Sequence, residues 1–159
     1  MALRRCGKNV NQTGSHRSTF APTGRGSPQG PIWNELPDRI ADALFLAGAG
    51  YGAFSLGIAV GQPLGWLAAV LAVMIAYVRE LGRGLGFPAD FSGPMAKPHR
   101  MAALTVTCAV AAIEPLWGWN GHALTIGLVV IVLGEGVTLV RRTRTLARRL
   151  AEAGESETP

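Results

Sequence analysis

All fifteen lysines and arginines of this 159-residue chain fall in three places: from the amino terminus through Arg39, from Arg79 to Arg100, and from Arg141 to Arg149. Between them lie four apolar stretches, at 40–60, 64–78, 101–117 and 123–140. Only 16% of the residues are charged, against about 25% in an ordinary soluble domain. A chain that confines its cations this strictly needs a medium in which charge is unwelcome, and a bilayer is that medium. At 1.5 Å per residue the stretches suit a hydrocarbon core of about 30 Å, the second by drawing on its flanks. Very short Gly- and Pro-containing turns at 61–63 and 118–121 join them as antiparallel helical hairpins. The expected fold is therefore all-α and integral to the membrane, a four-helix transmembrane bundle. The turns carry no Lys or Arg, so the positive-inside rule puts both termini and the middle connection on the cytoplasmic side. Trp66, Trp117 and Trp119 then sit at the far interface.

Residues 1–30 are rich in Gly, Ser, Pro and Arg and have neither helical nor strand periodicity,. They read as a disordered or unrelated segment and lack the apolar centre of a secretory signal. Residues 31–145 form the expected transmembrane domain, and 146–159 a cytoplasmic tail. The formal charge of +5 is compatible with nucleic acid, but the juxtamembrane position of the arginines selects anionic lipid instead, so the bilayer and not nucleic acid is the expected partner. Cys6 and Cys108 lie far apart and form neither a disulfide pattern nor a metal motif. Glycines at 48, 50, 52 and 57 permit the close helix contact that a homodimer would use.

Polar residues converge at two points. Asn34, Asp38 and Asp42 follow one another at i, i+4 and i+8, which aligns them on one helical face,. Such an oxygen-rich stripe suits a hard divalent cation. Helix-start chemistry explains Asn34 and Asp38 equally well, with Asn34 as cap, Pro37 in the first turn and Asp38 at the positive dipole end. Asp42 lies deeper, where an unpaired acid is costly, and is expected to face a polar interior. The second point is the middle connection, with Arg79, Glu80 and Arg83 before it, Asp90 in it, and Lys97, His99 and Arg100 leading into the third crossing. Cations beside an acidic stripe are what a phosphate-bearing substrate needs, although an isolated Lys or Arg there also serves as an interfacial anchor. Glu114, next to Pro115, is expected to reach water near the outer interface. Glu135, between Gly134 and Gly136, is expected to pair with Arg79 or Arg141.

Taken together, the two groups resemble the carboxyl-terminal part of the CDP-alcohol phosphatidyltransferase family. Its signature is DxxDGxxAR, about eight residues, then GxxxDxxxD. The segment from Gly30 to Asp38 resembles the second half, with Asn34 at the third aspartate's position and Asp38 at the fourth's. The run FSGPMAKPHRM, from Phe91 to Met101, is similar to a basic loop in a bacterial branch of the family, and the likeness spans about Gly24 to Arg149. The resemblance implies a bundle like the last four of six helices, in a bacterial inner membrane. It also implies Mg²⁺ or Mn²⁺, a CDP-alcohol and an alcohol acceptor as ligands, with release of CMP in phospholipid synthesis. Asp38 takes the general-base position; Asn34, Asp38 and Asp42 are the metal-ligand candidates, Asp42 standing in where Asn34 is a poor ligand. Lys97 and Arg100 are the phosphate contacts.

The first half of the signature is missing. Counting back from Gly30, its aspartates fall on Thr13 and His16, its glycine on Arg17 and its Ala-Arg pair on Phe20 and Ala21. Residues 1–30 thus read as unrelated sequence joined to a family body, by truncation, frameshift or misplaced start, and the chain is expected to be weakly active or inactive. The competing class is a non-catalytic membrane protein or remnant that packs with a partner. A small proton-coupled transporter ranks last, because its acid belongs deep in a crossing whereas these polar residues gather at one rim.

Overall fold

The computed structural model describes residues 30–156. The expectations for residues 1–29 lie outside the described residues. Four helices follow in order, α1 (Gly30–Ser55), α2 (Gly61–Gly84), α3 (Lys97–Ile113) and α4 (His122–Ser156), with a 3₁₀ turn over Glu114–Trp117 between the last two. Among the described residues there is no strand, as the uninterrupted apolar stretches implied. Three helices are long and apolar enough to cross a membrane: Gly61–Gly84, Lys97–Trp117 and His122–Glu155. In α1 any 18-residue window takes in Asp38, Arg39 and Asp42. Its carboxyl-terminal half alone is free of charge.

The helices run past the apolar stretches that announce them. α1 begins at Gly30, so Pro37 lies about two turns inside it rather than in its first turn, where the ring removes one backbone hydrogen bond. It also ends sooner than its apolar stretch, at Ser55, ahead of a turn in which Gly57 has a φ of +91°. α4 continues through the arginine-rich segment, since Arg, Leu, Ala and Glu all favour helix. Its 35 residues extend roughly 52 Å.

Helices α1 and α2 pack backbone against backbone. A Cβ on Gly50 would stand 2.6 Å from the Gly61 carbonyl oxygen and 2.8 Å from the Gly65 Cα, so only glycine lets the hairpin close at this depth. Leu46 and Ala68 are wholly buried beside that crossing, and Leu128 and Ile131 bring α4 onto it. Outward, large apolar side chains such as Val106 and Leu133 are more than 60% exposed. A surface of that kind is stable against lipid rather than water.

The connection between α2 and α3 starts with a helix stop in which Gly86 N–H reaches the Arg83 carbonyl and Phe87 N–H the Gly82 carbonyl, both at 3.0 Å, the glycine-terminated pattern of many helices. It then lies along α4. The Met95 N–H donates to Thr138 Oγ1 at 3.1 Å, Arg142 Nε to the Ser92 carbonyl at 2.9 Å, and Arg149 Nη1 to the Pro88 carbonyl at 3.4 Å. Gly93, at φ +125°, sits where a Cβ would strike Thr138.

Candidate functional site

The register of α1 sends Glu35, Asp38, Arg39 and Asp42 along one side of the helix. Lys97 and Arg100 occupy the first turn of α3, and Glu135 lies on α4. These side chains meet at one end of the bundle. Arg100 is 2% exposed and bridges two acids from different helices. Its Nη2 donates to Asp42 Oδ2 at 2.6 Å and its Nη1 to Glu135 Oε1 at 2.9 Å. Asp42 and Glu135 are themselves buried, so each charge is compensated where solvent cannot do it. The polar environment expected around Asp42 is thus Arg100. Glu135 pairs with Arg100 and not with Arg79 or Arg141 as the sequence suggested; helical periodicity gives the face of α4 but not the helix it meets.

Toward solvent the network opens out. Lys97 Nζ donates to Asp38 Oδ2 and stands 3.9 Å from Asp42 Oδ1. Glu35 accepts from Arg39 at 2.7 Å and from Arg79 of α2 at 3.2 Å, while Arg79 also pairs with Glu80 at 2.8 Å. The hydrogen bond from Lys97 and the charge behind it hold the Asp38 carboxyl below its ordinary value of 3.8. The bond from Arg39 does the same for Glu35, outweighing a small desolvation cost. Asp90 forms a local turn, its Oδ1 accepting from the Ser92 N–H at 2.8 Å. Burial works against its ionisation, yet the Ser92 hydrogen bonds leave its pKa lowered. His99 is exposed.

Of the sequence-proposed site residues, the structure brings together Asp38, Asp42, Lys97 and Arg100. The Asn34 side chain lies outside the described residues. Among those described, no three His, Cys, Asp or Glu side chains are grouped to hold a metal ion, and Asp38 and Asp42 each face a cation. The described side chains therefore do not fit a divalent metal as they stand. What they form is a rim of alternating charge in which a half-buried ammonium, Lys97, is held by an exposed carboxylate, Asp38, above a buried Asp42–Arg100–Glu135 bridge.

Sequence reasoning missed two features. Thr138 and Arg142 of α4 hold the connection that presents Lys97, and no local pattern announces this. Glu114 does not reach water: it is 3% exposed, and its Oε1 accepts the Ala123 N–H at 3.0 Å, capping the start of α4.

The chain is 30% identical over 138 residues to a phosphatidylinositol phosphate synthase of Streptomyces avermitilis, an alignment that takes in 82% of this chain and 54% of that protein. The chain thus spans about half the length of the curated relative it matches. No protein-family model matches the chain, and no solved structure does.

Proposed function

We propose that this chain is a membrane component of CDP-alcohol phosphatidyltransfer in phospholipid synthesis, with its chemistry at the Asp38–Asp42–Lys97–Arg100 rim. The observation that carries the reading is the 30% identity to a phosphatidylinositol phosphate synthase over 82% of the chain. The convergence of these four residues supports it. An inositol phosphate is accordingly the acceptor to try first. Lys97, half in solvent, is the group available to a substrate phosphate. When phosphate takes Lys97, Asp38 loses the partner that depresses its pKa and becomes the better base. It then accepts the proton of the acceptor hydroxyl; that oxygen bonds to the β-phosphorus of the CDP-alcohol, the bond from β-phosphorus to the bridging oxygen breaks, and CMP leaves. Arg100, with both ends on carboxylates, holds Asp42 and Glu135 in place as a positioning residue.

By this reading the chain alone turns over little, because the first half of the family signature is not in it and the described acids make no metal cradle. Both termini lie on the cytoplasmic face of a bacterial inner membrane. A non-catalytic role is the second reading, favoured by the same fact that Asp38 and Asp42 are already engaged by cations. The deciding assay follows CMP release from a CDP-alcohol and inositol phosphate, with and without Mg²⁺. It is run on the chain alone and on the chain coexpressed with the amino-terminal half of the Streptomyces relative. The proposal expects release near background from the first and Mg²⁺-dependent release from the second, abolished by Asp38→Asn. Lys97→Ala should raise the CDP-alcohol concentration needed for half-maximal release. Background release throughout assigns the chain to the non-catalytic reading.

A further inference from the structure

The opposite end of the bundle holds a second polar group that the rim chemistry does not use. Glu114 stands fourteen positions beyond Arg100, along α3 and at the start of the 3₁₀ turn, about 21 Å at helical rise. There Glu114 closes one end of a groove of about 980 Å³ between α3 and α4, whose walls include Val106, Val110, Ile126 and Val130. Its back is shut where Gly127 lies against Thr107. The size is that of a small-molecule site. Glu114 is 3% exposed, and its Oε2 has no hydrogen-bond partner among the described residues. A buried carboxylate oxygen left without a donor is costly, and a ligand is the natural source of the missing donor. Trp117 and Trp119 also line the groove and are 67% and 59% exposed; their ring faces attract cations. His122 stands beside the same carboxylate, its Nδ1 3.8 Å from Oε1.

From this arrangement we infer that the groove is a binding site for a bilayer phospholipid with a primary ammonium headgroup, one acyl chain lying between α3 and α4 and the ammonium at Glu114. Hydrocarbon walls select the chain, and the acid with its two indoles selects positive charge. The orphaned Oε2 makes the selection finer: a primary ammonium donates a hydrogen bond to it, while a trimethylammonium has none to give. The site is independent of the transfer chemistry at the rim.

The test is native mass spectrometry of the purified full chain in detergent, offered equal amounts of ethanolamine and choline phospholipids with identical acyl chains. The wild type should retain the ethanolamine lipid about tenfold over the choline lipid, the ratio expected for one charge-assisted hydrogen bond. Glu114→Gln keeps an acceptor for the Ala123 N–H and should bring the ratio close to one. Val106→Trp, at an exposed position in the groove wall, should reduce retention of both lipids, and decides the matter if the first variant does not fold. Equal retention by the wild type overturns the inference, as does undiminished ethanolamine-lipid binding in Val106→Trp. A dimer that Val106→Trp converts to monomer also overturns it, by giving the groove to a second copy of the chain.

Discussion

Arg100 joins three helices through a single side chain, which makes it the residue whose loss costs most. Arg100→Met leaves Asp42 and Glu135 buried without their cation, and removal of one partner from such a pair destabilises by about 3–5 kcal/mol. Thermal unfolding in detergent should show a large fall in Tm. Arg100→Lys should fall between, because an ammonium lacks the fork that reaches two carboxylates at once. Asp38 behaves differently, being exposed. Its pKa lies below 3.8 in the folded chain, so its contact with Lys97 contributes fully above the ordinary carboxylate value and is lost as pH falls through the lowered one. The Tm difference between wild type and Asp38→Asn should be constant from neutral pH down to about pH 5 and vanish in more acid solution. The i, i+4, i+8 spacing made the acidic side of α1 readable, and the depth of Asp42 made its need for a partner readable. Which cation answers it was not, since Arg100 stands 58 residues away and pairing across helices depends on packing angles that no local pattern encodes. Glu114 misled for a similar reason: its position near an interface suggested water, whereas the turn folds it back onto the first amide of the next helix.

The α1–α2 hairpin depends on three glycines whose backbones touch. Gly65→Val adds a side chain where even a Cβ would stand 2.8 Å from the Gly50 Cα and the Leu46 carbonyl, and overpacking of this kind costs about 1–3 kcal/mol. The expected result is separation of α1 from α2, measured as faster proteolysis and a lowered Tm, with Gly48→Val, which meets nothing within 4 Å, as the tolerated control. Hydropathy located each helix through its apolar centre. It understated α2 and α4 because their arginine-bearing ends are polar and helical together, a combination that propensity permits and apolar counting overlooks. It overstated α1 at its carboxyl end, where the apolar residues 56–60 belong to a turn.

Across the whole molecule, four helices in up-down order return the chain to the side on which α1 begins, if each crosses. Cysteine labelling tests this in a Cys6→Ser, Cys108→Ser background. Single cysteines at Leu85 and Glu155 should react from one face of sealed vesicles and a cysteine at Asn120 from the other. A cysteine at Ile32, at the start of α1, should react from the same face as Glu155; its reaction from the opposite face would leave α1 lying along the surface, in keeping with the charges in its first half. The connection that presents Lys97 has its own practical consequence. Thr138, Arg142 and Arg149 fasten it to α4 at Met95, Ser92 and Pro88, so it behaves less like a loop than like a splint bound along a bone. A fluorescent protein or epitope spliced into it would tear three fastenings and displace the lysine at its end, whereas the same tag fused beyond Ser156 would touch none of the three and leave the rim undisturbed.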